Sequence, residues 1–327
     1  MRVQTLADVS QVAEARRAAT ELATQIGFDD SDTGRVALVA TELATNVLKH
    51  ASSGEMLIST YDDSTGSGIE LIALDQGPGI TNVSASLRDG YSSAGTAGHG
   101  LGAIRRQSQV MEIATWPSVG TAVLARISAK SDRTGSEHPP WGGLAVPHPG
   151  EEVCGDAWLV LDGESSRTLL VADGLGHGAD AAAAANEAVR LFRKLHTQAV
   201  PQLLESLHLG LRSTRGAAIA LARFDHDARV TFGGIGNIAG AVIEHQQIRR
   251  MVSMSGTAGH NARKIHTFDY QCSSGLVIMA SDGLSTHWSF DKYPGLTQAH
   301  PSLIAAVLYR DHSRRRDDVT VLVCRRN

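Results

Sequence analysis

Residues 169–178, LLVADGLGHG, restrict the possible folds of this sequence more than any other stretch. A short apolar run, Leu169 to Ala172, delivers Asp173 to a Gly-Leu-Gly break, and an alanine-rich segment follows from Ala179 to about Leu195. That order predicts a buried strand, a tight acidic turn and a helix. A carboxylate held at a strand end, beside a glycine whose carbonyl is free to turn outward, suits a hard divalent cation. Three further acidic positions stand at similar boundaries. Asp156 precedes an expected strand at Trp158 to Leu161, Asp282 follows an apolar strand in Ser281-Asp282-Gly283, and Asp317-Asp318 precede Val319 to Cys324. Read separately, each would only shape a turn; four in one half of a chain predict convergence on a metal pair.

At 327 residues the chain exceeds the size at which one core usually stays single, so two domains are expected. Residues 128–150 are rich in Lys, Ser, Asp, Gly and Pro and poor in apolar residues until Leu144. They place a linker at 131–144 between domains at 1–130 and 145–327. The net charge is −4, and neither half carries a basic excess, which argues against a nucleic-acid partner. The dense basic run Arg314 to Arg316 is followed at once by Asp317 and Asp318. Cys154, Cys272 and Cys324 have no short ligand spacing, which fits a reduced compartment without a disulfide scaffold. No segment reaches the ~18 apolar residues of a membrane span and no signal core opens the chain, so a cytoplasmic protein without a membrane partner is expected.

In the first half, helical spacing runs over residues 3–27 and again from Ser31-Asp32 to about Ala51, followed by strands at Met56 to Tyr61 and Ile69 to Ala73. A loop at 81–98, a helix opening at Gly98 to Gly102, and strands near 111–116 and 121–127 complete the unit. Glu42 and Asn46 stand four apart and share one helix face. Asp75 ends a strand and leads into Gln76-Gly77-Pro78-Gly79, where it can accept from a purine amino group. Gly98, Gly100 and Gly102 expose amides at a helix start, where phosphate oxygens are favoured. Each motif is weak alone, but the ordered trio at these separations predicts a nucleotide site.

ELATNVLKHA, DQGPGI and GHGLGAIRR resemble the N box and the two glycine boxes of the GHKL ATPases, most closely the RsbT/RsbW-type serine kinases that act on anti-sigma antagonists. The resemblance spans about 1–127 and implies a Bergerat two-layer α/β sandwich binding ATP with Mg²⁺. It gives Glu42 the role of general base toward a substrate serine and Asn46 that of a Mg²⁺ ligand. Asp75 would contact adenine, Gly77 and Gly79 would belong to the same cofactor site, and Gly98, Gly100 and Gly102 would line the phosphate loop. Phosphoryl transfer needs neutralised charge and an oriented acceptor more than covalent help, so the set is chemically coherent.

GDAW, VADGLGHG, ASDGL and RRDDVT, with STRGAA and GGIGN between them, resemble the PPM-type protein phosphatases, and within them the SpoIIE/RsbX branch, over about 145–327. The chain as a whole is therefore expected to be α+β, a GHKL sandwich followed by a PPM-type αββα domain. The second resemblance implies two Mn²⁺ or Mg²⁺ ions that activate water for in-line attack on phosphorus. Asp173 would bridge them, the Gly174 carbonyl would hold one, Asp282 and Asp317 the other, and Asp156 would support the cluster. Asp317 matches the family ligand and Asp318 the neighbouring position. His177 reads either as a general acid or as a helix cap, and Arg215 either as an ion-pair residue or as a phosphate contact. The larger PPM enzymes have a basic phosphate anchor at the start of the domain, and none is evident here.

Together the resemblances imply a protein serine/threonine phosphatase with a serine kinase-like domain. It would act on a STAS-type anti-sigma antagonist or other phosphoprotein, with a sigma factor or upstream scaffold as further partner. Two alternatives stay open: a phosphatase whose ATP-binding domain only regulates it, and a non-catalytic module that sequesters its partner.

Overall fold

Asp8 decides where the first helix begins. Its carboxylate accepts the N–H groups of Ser10 and Gln11 while Gln11 reaches back to the Asp8 backbone, a reciprocal cap that starts α1 at Val9–Gln25. The residues before the cap are therefore free to extend. Arg2–Leu6 forms β1, paired antiparallel with β2 (Gly54–Asp63), where helical spacing alone predicts a helix from residue 3. The computed structural model describes residues 1–63, 66–87, 100–129, 139–164, 166–225, 227–262 and 264–326. They form two units: Met1–Pro139 with Asp291–Val307, and Pro140–Phe290 with Leu308–Asn327.

In the first unit, α2 (Asp30–Ala51) follows α1, and β3 (Gly66–Asp75) follows β2. A single turn, α3 (Val83–Ser86), and α4 (Gly100–Gln107) precede β4 (Val110–Trp116) and β5 (Gly120–Ser128). The five strands make one antiparallel sheet in the order β1-β2-β3-β5-β4. One face packs Met56, Ile58, Leu71 and Ala125 against Ala15, Ala19, Val36, Val39 and Leu43 of α1 and α2. The buried Arg35 ties α2 to the rest: it pairs with Asp32 at 2.7 Å and donates to the carbonyls of Gln107 and Ser128.

Strict alternation of buried and exposed residues fails along β3 and β5, because the second face of the sheet is covered too. Arg126 on that face is 3% exposed, and binds Glu70 at 2.7 Å and Asp63 at 3.0 Å. It also donates to the Ser302 hydroxyl. Trp116 donates its indole N–H to the Pro294 carbonyl and meets the Tyr293 ring edge-on, while the Glu112 carboxylate accepts the His300 N–H. Residues 291–307, far along the chain, are thus built into the first unit.

The second unit begins with β6 (Trp141–Val146), which pairs with β15 (Val319–Arg325). The strand overlaps the last four positions of the linker expected at 131–144, whose residues 131–138 lie outside the described ones; its two glycines hide a strand that only its partner reveals. β7 (Asp156–Asp162), β8 (Arg167–Gly174), α5 (Ala179–Leu195) and α6 (Val200–Gly210) follow. Then come β9 (Ala217–Phe224), β10 (Arg229–Ile235), β11 (Ala239–Glu244), β12 (Gln247–Met251), β13 (Thr267–Gln271) and β14 (Leu276–Ala280). Helix α7 (Pro301–His312) and β15 (Val319–Arg325) end the chain.

Two antiparallel five-stranded sheets, β13-β10-β9-β8-β7 and β12-β11-β14-β15-β6, stack face to face. β8 shows how its sequence serves both sides. Leu169 and Val171 enter the core between the sheets with Phe232, Val277 and Leu322, while Leu170 and Ala172 meet Ala185, Phe192 and Leu207 of the helices. A strand buried on both faces reads as a continuous apolar run, as it does here. No helix among the described residues is long and apolar enough to cross a membrane.

Candidate functional sites

The register between β7 and β8 sets Asp156 directly opposite Asp173. Like charges at that spacing repel, and burial removes the water that would screen them. Asp156 is 6% exposed, and neither of its carboxylate oxygens has a hydrogen-bond partner of ordinary geometry. Burial pushes its pKa up to about 7; Ser281 and Thr320 draw it back somewhat, and the charges of Asp318 and Asp282 raise it. Burial pushes Asp173 up to about 9, with Asp156, Asp282, Asp317 and Asp318 all adding to the rise. Asp282 is likewise raised, first by burial and then by Asp317, while Arg314 opposes the shift. Five carboxylates therefore feel one another at these strand ends.

Local structure explains how they come together. A Cβ at Gly174 would lie 2.0 Å from the Ala181 carbonyl, so only glycine lets α5 start this close behind the acidic turn. Ser281 and Thr320 exchange two hydrogen bonds and hold Asp282 beside Asp317-Asp318. Asn237 fixes Asp282 by donating to it at 2.6 Å. Of the acidic pair, Asp318 is the buried member, at 3% exposure. Its Oδ1 accepts the His148 N–H at 2.8 Å and its Oδ2 has no partner, whereas Asp317 accepts the Asp318 N–H at 2.9 Å.

Among the described residues no three His, Cys, Asp or Glu side chains are grouped closely enough to hold a metal ion as they stand. The unpartnered oxygens of Asp156 and Asp318, and the burial and neighbouring carboxylates that raise Asp173, are nevertheless what a divalent cation satisfies. The donors fit the group.

Three residues of this region are not legible in the sequence as part of a site. His148 and Glu151 lie just past the stretch that reads as linker. The His148 ring stacks on His177 with centroids 4.6 Å apart, and the His177 Nδ1 is 2.8 Å from Glu151. Asp318 reads in the sequence only as a neighbour of the ligand. The signal that could have found His148 and Glu151 is the polar run His148 to Asp156, too rich in titratable groups for a spacer.

In the first unit, α2 presents Glu42 and Asn46 to the start of α4. A Cβ at Gly100 would lie 3.2 Å from the Asn46 Oδ1 and 3.3 Å from the Glu42 Oε2, so the three positions converge. The Asn46 amide nitrogen is buried without a partner. Asp75, at the end of β3, accepts the N–H groups of Gly77 at 2.8 Å and Thr121 at 3.2 Å. Gly77 abuts Ala51 at the end of α2, and Gly79, at φ +78°, sits where any Cβ would strike the Trp116 carbonyl. Thr115, which no sequence motif singles out, accepts the Ile80 N–H at 2.7 Å and touches the Thr121 hydroxyl, pinning the Gly77–Ile80 loop to β4 and β5. Gly102 is buried inside α4, and Gly98 lies outside the described residues.

Comparison with known proteins agrees with this division. The family described as Histidine kinase-like ATPase domain matches residues 5–127. The serine/threonine-protein kinase RsbT of Bacillus subtilis (strain 168) is 31% identical over 114 residues, 35% of this chain and 86% of that protein. The stage II sporulation protein E of the same organism is 27% identical over 224 residues, 61% of this chain but only 26% of that protein, so the chain spans about a quarter of this larger relative. A solved structure described as the bacterial stressosome, a modular system adapted to control secondary messenger signaling, is 28% identical with a TM-score of 0.53, covering 58% of this chain and 100% of that one. Through residues 5–127 the chain belongs to the histidine kinase-like, GHKL family of ATPase domains, and over 61% of its length it is similar to a part of the stage II sporulation protein E.

Proposed function

We propose that this protein is a metal-dependent protein serine/threonine phosphatase, with its phosphatase domain at 145–327 and an ATP-binding serine kinase-like domain at 1–130, acting on STAS-type antagonists in a partner-switching pathway. The observation that carries the phosphatase reading is the buried Asp156, with both carboxylate oxygens unpartnered, directly opposite Asp173 on β8. Asp173 with the Gly174 carbonyl would hold one Mn²⁺ or Mg²⁺, Asp173 with Asp282 and Asp317 a second, and Asp156 and Asp318 would steady the set. Bound cations supply neutralisation of phosphate charge and activation of water. The chain's own contribution is to fix the carboxylates: Asn237 orients Asp282, and the Asp318 N–H orients Asp317.

The kinase reading is supported by the convergence of Glu42, Asn46 and Gly100. Glu42 would take the proton of the acceptor serine while Asn46 holds Mg²⁺ against the phosphates of ATP. A second reading, in which ATP only regulates the phosphatase, is favoured by the inclusion of Asp291–Val307 in the first unit. The chain continues from that segment through the rest of α7 to Asp317.

The test uses the full chain carrying Asp173→Asn, so that product is not erased, with labelled ATP and candidate STAS proteins. Label should pass to a serine. Adding Glu42→Gln should lower transfer by about 10²–10⁴-fold at unchanged ATP affinity. Binding of ATP and antagonist without transfer would overturn the kinase reading and leave the regulatory domain and the sequestering module.

A further inference from the structure

No basic phosphate anchor is evident in the sequence at the start of the second domain, and the structure points to another cation. Arg215 lies in the Thr214–Gly216 turn ahead of β9. The turn is hydrogen-bonded to the acidic loop, because Leu175, two residues after Asp173, donates its N–H to the Gly216 carbonyl at 3.0 Å. The guanidinium overlies that loop: its NH1 is 3.5 Å from where a Cβ of Gly176 would stand.

The backbone of Arg215 is held far more firmly than its side chain. His260 Nε2 bonds the Arg215 carbonyl at 2.9 Å, Thr214 Oγ1 accepts the Gly216 N–H at 3.0 Å, and Ala217 and Ala258 exchange two hydrogen bonds. A Cβ at Gly216 would meet the Ala258 carbonyl at 2.6 Å, so the turn has no slack. The side chain is 54% exposed and pairs at 2.9 Å with Asp180, which is 68% exposed. An ion pair between two such exposed groups contributes little to stability. The tight turn therefore aims a cation rather than serving the pair. Asp180 stands in the first turn of α5, where the helix dipole stabilises its charge, so releasing Arg215 costs little.

We propose that Arg215 is the phosphate anchor of the phosphatase site: it turns from Asp180 to grip the phosphoryl group of the substrate. A guanidinium binds phosphate in a two-pronged fashion that a lone carboxylate neighbour does not match. Asp180 serves as a resting partner that parks the guanidinium at the rim when no phosphate is bound. The inference rests on the phosphatase reading for its meaning, but its binding step is measurable without turnover.

The experiment takes the full chain with Mn²⁺ and measures the Kd of inorganic phosphate by calorimetry, then KM and kcat for a phosphoserine peptide. Arg215→Ala should weaken phosphate and raise KM about tenfold or more, with a smaller change in kcat, and Arg215→Lys should recover part of the loss. Asp180→Asn breaks the same ion pair but keeps the cation, so it should leave phosphate binding unchanged or tighter. If Arg215→Ala and Asp180→Asn shift phosphate affinity alike, or if neither shifts it, or if the unmutated chain binds no phosphate, the anchor role is overturned. Phosphate binding that depends on Arg215 in a chain with no turnover would instead sink the phosphatase reading and leave the anchor standing.

Discussion

Replacing Asp173 by Asn should stabilise the metal-free protein, although it removes a residue from the centre of the proposed site. In an unfolded chain both Asp156 and Asp173 titrate near 3.8; in the folded chain they are pushed up to about 7 and about 9. A raised carboxyl pKa means that the folded state holds protons the unfolded state releases. Stability from these groups is therefore present at acid pH and is lost as pH rises through the folded values. A tenfold change in an acid's proton affinity is worth about 1.36 kcal/mol, so the rise of Asp156 from 3.8 to about 7 would amount to roughly 4 kcal/mol were it independent. The two groups titrate as a coupled pair, so the effects do not simply add. Removing a group that the fold keeps protonated and unfolding would ionise should recover roughly 2–4 kcal/mol at pH 8–9, or a rise of roughly 5–15 °C in the melting temperature of a unit this size.

The assay is thermal unfolding of the full chain by circular dichroism, with chelator and with Mn²⁺, between pH 5 and 9. In chelator, the unmutated protein should lose stability across that range, and Asp173→Asn should lose much less. In Mn²⁺ at a hundred times its Kd the unmutated protein should gain about 2.7 kcal/mol, and the variant little of it, so the order of stability reverses. If Asp173→Asn is less stable than the parent in chelator at pH 8, or has the same pH slope, the argument from crowded carboxylates is wrong.

Arg126→Met should destabilise the first unit by about 3–5 kcal/mol, because it leaves Glu70 buried without its guanidinium. Adding Glu70→Gln should restore part of that loss in chemical denaturation; if it restores none, the pair is not what holds that face. Gly174→Ala should lower stability by about 1–3 kcal/mol and remove phosphatase turnover, since its Cβ would press on the Ala181 carbonyl. A fully stable Gly174→Ala protein would show that α5 can withdraw from the acidic turn.

What the sequence determined alone is what depends on neighbours along the chain. The spacing of Glu42 and Asn46 puts both on one face of α2 whatever surrounds that helix, and the run from Leu169 to Gly178 forms a strand, a turn and a helix start. Local physics also makes legible the acidic strand ends. The strands β1, β6, β12 and β13 escape a sequence reading because each is an edge strand of its sheet, short and stable only through its one partner. The cap at Asp8 separates β1 from the helical pattern that otherwise absorbs it.

Only the tertiary structure could decide the rest. It set Asp156 opposite Asp173 by the register of β7 and β8, buried Asp318 rather than Asp317, and brought Arg215 over the loop after Asp173. It also built Asp291–Val307 into the first unit, across nearly the whole length of the chain. These relations join residues that are distant in sequence. They are set by which surfaces pack and which strands pair, and no local propensity encodes a partner a hundred residues away.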